Sequence, residues 1–127
     1  MNRESSPRFL VAVVDDDESV REALPDLLRE SGYASEAFAS AQELLDSGQI
    51  VRIGCLILDI AMPGMSGPEL HQELLRRGQA VPVVFITAAG DKTVRLRLLA
   101  QGAVDCLFKP FSETALLAAI SAAEKVV

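Results

Sequence analysis

A chain of 127 residues with twelve Lys and Arg against eighteen Asp and Glu carries a net charge of −6. At this size about two-thirds of the unfolded surface is buried on folding, so one domain needs neither disulfides nor a structural metal. Half of the residues are hydrophobic and 24% are charged, which excludes a disordered chain, and the acid excess opposes direct nucleic-acid binding. Residues 1–7 are polar, lack the apolar stretch of a signal peptide, and are expected to be extended or disordered ahead of a domain over residues 8–127. A continuous apolar run over 9–14 predicts a strand covered on both faces. Val20, Leu24, Leu27 and Leu28 then follow helical spacing up to Ser31-Gly32, with Pro25 expected to kink one helix rather than divide it. Residues 33–38 read as a weaker strand, and Ser40-Ala-Gln-Glu43 is a capping-box pattern that opens a short helix.

A second buried strand is predicted over 53–58, followed by a loop rich in Pro and Gly over 59–67. Pro68 suits the first turn of a helix carrying Leu70, Leu74 and Leu75, on whose polar face His71 is expected to be a solvated surface residue. Residues 81–86 form the next predicted strand. Asp91 caps a helix ending near Gly102, with Lys92, Arg95 and Arg97 on a solvated face, and 104–108 is a last strand. Ser112 caps a final helix rich in Ala and Leu. Five βα units in succession predict an α/β fold, a parallel five-stranded sheet with helices on both faces, in the doubly wound order 2-1-3-4-5. No apolar run is long enough to span a bilayer, and Cys55 and Cys106, without metal-ligand spacing, are expected to be buried small hydrophobes in a reduced cytoplasm.

The chemistry-bearing residues fall at one sheet edge. Asp15 and Asp16 follow the first strand, Asp59 the third, Thr87 the fourth and Lys109 the fifth. Open α/β sheets place their sites at the carboxyl ends of strands, and this strand order sets strand one beside strand three. Three carboxylates there repel one another and call for a cation. Hard oxygen ligands suit Mg²⁺, while an ammonium and a hydroxyl complete a site for a phosphoryl group. An Asp can accept that group as an acyl phosphate, and Asp59 is the best-placed acceptor, because adjacent Asp15 and Asp16 are better suited to the metal. Asp17 and Ser19 read as helix-capping residues, and Met62 and Met65 as loop packing.

Val14-Asp-Asp-Asp-Glu18, Leu58-Asp-Ile-Ala-Met-Pro-Gly-Met-Ser-Gly67, Phe85-Ile-Thr-Ala88 and Phe108-Lys-Pro-Phe111, in this order, resemble the receiver domain of two-component response regulators over nearly the whole chain. The resemblance implies a flavodoxin-like (βα)₅ fold of the chemotaxis-regulator type. It implies that Asp59 takes a phosphoryl group from a sensor histidine kinase or phosphotransfer protein, and that Asp15, Asp16, Asp59 and the backbone carbonyl of Ala61 hold Mg²⁺. Thr87 and Lys109 would contact the phosphate, and the bond before Pro110 would be cis. The fourth helix, fifth strand and fifth helix would present a switching surface to an output domain, a downstream protein or a second copy. Such a protein catalyses only its own phosphorylation and dephosphorylation. The motif wording is closest to receivers of helix-turn-helix transcriptional regulators, which leaves open a stand-alone receiver or a piece of a longer one.

Receivers usually carry Tyr or Phe three residues before the lysine, where this chain has Cys106, a departure from the residues of the usual threonine–aromatic switch. Phe108, of the same strand parity, is the candidate substitute. Ala61 and Ala89, two residues after Asp59 and Thr87, offer neither a shield against water nor a group to orient it. The alternatives are a receiver-like interaction module independent of phosphorylation and an aspartate-nucleophile phosphohydrolase. The latter usually needs a second Asp where Ala61 stands. A flavin-binding fold is disfavoured by the acidic loop after the first strand.

Overall fold

The computed structural model describes residues 9–126; the expectation for residues 1–7 lies outside them. Five strands, β1 (Leu10–Val14), β2 (Ala34–Phe38), β3 (Ile53–Asp59), β4 (Val83–Thr87) and β5 (Asp105–Phe108), alternate with five helices. These are α1 (Glu18–Glu30), α2 (Ala41–Asp46), α3 (Gly67–Arg76), α4 (Lys92–Ala100) and α5 (Glu113–Glu124). The strands form one parallel sheet in the order β2-β1-β3-β4-β5. A 3₁₀ turn over Ile50–Arg52, not foreseen from the sequence, leads into β3. No described helix is long and apolar enough to cross a membrane.

Strand alternation divides the core. Leu10, Ala12 and Val14 face one way and join Leu44, Leu56, Leu58, Leu70, Leu74, Phe85 and Leu98 under α2, α3 and α4. Val11 and Val13 face the other way and join Leu24, Leu28, Ile57, Ile86, Leu116 and Ile120 under α1 and α5. The two cysteines fall on opposite sides of this division, Cys55 toward α5 and Cys106 toward α4, and both are free and buried. Burial pushes the Cys55 thiol up to about 12, so it stays protonated.

The helix ends follow their caps. Asp17, Ser40, Ser66, Asp91 and Ser112 each accept a backbone N–H near the start of the following helix. The capping box expected at Ser40 is only half present, because Glu43 bonds the N–H of Ala39 instead of that of Ser40. A full box stands instead at Ser66 and Glu69, around Pro68 in the first turn of α3. α1 runs through Pro25 as a single helix, and the proline ring is buried beside Leu24 and Leu28, which offsets the lost hydrogen bond.

One expectation is overturned on α3. His71 is not solvated but 3% exposed, its ring set edge-on to Phe85 at 5.8 Å, and its Nδ1 has no hydrogen-bond partner. Gly67, Leu70, His71 and Leu74 occupy one helical face at i, i+3, i+4 and i+7, whereas Leu75 falls off it and is 43% exposed. The phase of the helix, not the polarity of the side chain, decides. Burial holds the His71 imidazole below its ordinary value of 6.5. The unfolded chain therefore binds a proton first, and stability falls as pH drops below about 6.5. His71→Leu is expected to lose less Tm than the parent between about pH 7.5 and about pH 5.5, and equal losses would overturn this account.

Candidate functional site

The sheet delivers the predicted residues to one place. Asp15 directly follows β1, Asp59 and Thr87 are the last residues of β3 and β4, and Lys109 directly follows β5. Val14 pairs with Leu58, Asp59 with Ile86, and Thr87 with Phe108, so the strand ends lie level across the edge. One carboxylate oxygen from each of Asp15, Asp16 and Asp59 falls within 4.8 Å of the others. Asp15, Asp59 and Thr87 are buried while Asp16 is exposed, so the cluster is walled by protein and opens to solvent on one side.

Lys109 is the ammonium that reaches it. Its Nζ donates to Asp15 Oδ2 at 2.9 Å and lies 3.9 Å from Asp59 Oδ1. Partial burial works against its charge, but the bond to Asp15 and the negative charges of Asp15 and Asp59 outweigh that and raise its pKa. Asp59 lies on the unfavourable side of the balance. Burial, then the charge of Asp15, pushes its carboxyl up to about 7, with Asp16 adding to the shift and Lys109 opposing it. Three acids against one ammonium leave a deficit of positive charge in an all-oxygen donor set, which is the chemistry of a Mg²⁺ site. The residues present therefore fit the ion.

Backbone contacts fix these groups. Asp15 Oδ1 accepts from the N–H of Asp17 at 2.9 Å, and Arg21 Nη1 donates to the Asp15 carbonyl at 3.0 Å. Arg21 was not foreseen; its place one turn into α1, on the side of the acidic loop, is the signal that would have found it. The N–H of Lys109 donates to the carbonyl of Thr87 at 2.8 Å, and the bond between Lys109 and Pro110 is cis, as the resemblance implies. Thr87 Oγ1 accepts from the N–H of Ala89 at 3.2 Å, so the hydroxyl is held within its own loop. Ala61 is exposed two residues beyond Asp59, in the loop that returns to α3. Asp17 caps α1 through Ser19, and its carboxylate is not among the three that converge, while Met62 is buried in the core beneath α3.

Comparisons with known proteins point to one family. The family model described as the response regulator receiver domain matches residues 11–121. Response regulator protein TodT of Pseudomonas putida is 41% identical over 92% of this chain and 52% of its own length. Transcriptional regulatory protein FixJ of Azorhizobium caulinodans is 43% identical over 88% of this chain and 53% of its own. The chain thus spans about half the length of these curated relatives. Among solved structures, response regulator StyR superposes with a TM-score of 0.86 at 45% identity, covering 94% of this chain and 60% of that one. FixJ-N gives 0.84 at 36% identity, covering 94% and 95%. With a matching family model, relatives above 40% identity and the acidic cluster at the expected sheet edge, the chain belongs to the response regulator receiver domain family.

Proposed function

We propose that Asp59 is the phosphoacceptor of a Mg²⁺-dependent receiver. The observation that carries this reading is the convergence of Asp15, Asp16 and Asp59 within 4.8 Å, with the Lys109 ammonium against two of them. Receiver domains switch by phosphorylation, interact with histidine kinases and output domains, and are not an enzyme family. In this chain an Asp59 carboxylate oxygen attacks the phosphorus of a kinase phosphohistidine. The phosphorus–nitrogen bond breaks, and the imidazole leaves with its electron pair and takes up a proton. Lys109 supplies a fixed positive charge to the transferred group, and Thr87 turns its hydroxyl from Ala89 toward a phosphoryl oxygen. Asp15, Asp16, Asp59 and the Ala61 carbonyl would hold Mg²⁺, which when bound neutralises charge on the phosphoryl oxygens.

The same groups catalyse the chain's own phosphorylation and dephosphorylation and nothing further. The protein works in the cytoplasm with a sensor histidine kinase or phosphotransfer protein. It presents the face of α4, β5 and α5 to an output domain, a downstream protein or a second copy. Several of its relatives carry the name of transcriptional regulators, which supports transcription as the process it serves. Incubated with Mg²⁺ and a small phosphodonor such as acetyl phosphate, the protein is expected to gain one phosphoryl group by intact mass. Chelation of the metal abolishes the gain, and Asp16→Ala raises the Mg²⁺ concentration required. A gain of equal size without divalent cation would refute the metal's role.

A further inference from the structure

Arg21 holds the acidic loop on both sides of Asp16. Its backbone N–H donates to the carbonyl of Asp17 at 3.2 Å, and its Nη1 donates to the carbonyl of Asp15 at 3.0 Å. The first bond belongs to the opening turn of α1. The second is a charge-assisted bond from a half-buried guanidinium that reaches back six residues to the end of β1.

The three clustered acids are not fixed alike. Asp15 is buried and held by its own contacts: its N–H donates to the Phe38 carbonyl, its Oδ1 accepts from the Asp17 N–H, and its Oδ2 accepts from Lys109. Asp59 is buried as the last residue of β3. Asp16 is exposed and stands between the end of β1 and the start of α1, so neither the strand ladder nor the core places it. A peptide unit is planar, so the Asp15 carbonyl oxygen shares a plane with the nitrogen and Cα of Asp16. A donor that holds this oxygen therefore sets the tilt of that plane, and with it the direction from which the Asp16 side chain leaves the backbone.

We propose that Arg21 is a positioning residue for Asp16: its bond to the Asp15 carbonyl holds the Asp16 carboxylate beside Asp15 and Asp59 before a divalent cation binds. The role rests on the reading of these three acids as Mg²⁺ ligands. Charge and position act in opposite directions here. As a charge alone, a guanidinium near three carboxylates competes with the cation, and its removal tightens Mg²⁺ binding. As a staple, its removal frees residues 15–17, and the entropy of ordering Asp16 then falls on the binding step and weakens it. Salt screens the first effect at a site open to solvent and leaves the second in place.

The test measures Mg²⁺ affinity without any phosphodonor, from the amide NMR shifts of residues 15–17 and 59 at about 0.15 M salt, with Tm followed alongside. Arg21→Ala should raise the Mg²⁺ dissociation constant about tenfold, the lower end for residues that orient a metal ligand. Arg21→Met, which keeps an apolar stem on α1 in case the alanine variant folds poorly, should lose as much. Arg29 supplies the matched control, since it lies on the same helix and its Nη2 donates to the carbonyl of Ser35, also six residues away, at 2.9 Å. Arg29→Ala should lower Tm comparably but leave Mg²⁺ affinity within about twofold of the parent. Affinity in the Arg21 variants equal to or tighter than the parent's would overturn the staple while leaving the metal site intact. An equal weakening in Arg29→Ala would do the same, by showing a general loss of stability. Absence of Mg²⁺-dependent shifts in the parent would overturn the metal site and the staple together.

Discussion

Asp59→Asn is expected to reduce Mg²⁺-dependent phosphorylation by a small phosphodonor at least about a hundredfold, or roughly 3 kcal/mol in the barrier. The substitution keeps the shape of the side chain and removes its nucleophile, because an amide oxygen carries neither the charge nor the basicity of a carboxylate. Stability should move the other way. Burial and the charge of Asp15 raise the Asp59 carboxyl to about 7, above its value in an unfolded chain. The folded state therefore pays to ionise this group, and stability is lost as pH rises from the ordinary carboxylate range to about 7. In metal-free buffer at about pH 8 the Asn variant should melt no lower than the parent, since one of three clustered acids has become neutral. Loss of labelling by an intact, equally stable protein separates a missing acceptor from a damaged fold. Equal labelling of the parent and the Asn variant would move the phosphoryl group to another residue and sink the assignment.

Most of this site was legible in the sequence because topology did the work. A parallel sheet in the order β2-β1-β3-β4-β5 sends every strand's carboxyl end to the same edge. Locating the strands therefore located Asp15, Asp59, Thr87 and Lys109 without any knowledge of side-chain contacts. What the sequence concealed depends on distances through space or on helix phase. His71 is polar in type yet buried by helix phase; Leu70 and Leu74, at i−1 and i+3, mark it as part of the buried face. Arg21 is hard to read because its partner is a backbone carbonyl, so only its place one turn into α1 points to it. Phe108 could be matched to Cys106 by strand parity, but its register opposite Thr87 and the approach of its ring to Gly90 required the fold of the 88–91 loop.

Gly67→Ala is expected to show how tightly that topology holds the acceptor. Gly67 is the first residue of α3 and is buried, and its N–H donates to the Ile60 carbonyl at 2.9 Å, closing the loop that begins at Asp59. A Cβ here would drive into the carbonyl oxygen of Asp59 and come within 3.0 Å of its carbonyl carbon and 3.1 Å of Ile60 Cα. All three are backbone atoms of the acceptor segment and cannot rotate aside. Alanine does improve helix propensity, by up to about 1 kcal/mol, and less at a helix start than in the interior. The overlap must be relieved by moving α3 away from the end of β3, at a cost of about 3 kcal/mol, the upper end for overpacking. A net loss near 2 kcal/mol lowers Tm by roughly 5–10 °C in a domain of this size. Ser66→Ala is the matched control: it removes the α3 cap at a cost of about 1 kcal/mol but leaves the contact with Asp59 untouched. If the close approach positions the acceptor, Gly67→Ala slows phosphorylation well below the parent at a temperature where both are folded, and Ser66→Ala does not. A Gly67→Ala protein with the parent's Tm and phosphorylation rate would mean that the loop between β3 and α3 yields freely. The position of Asp59 would then be set by its strand alone.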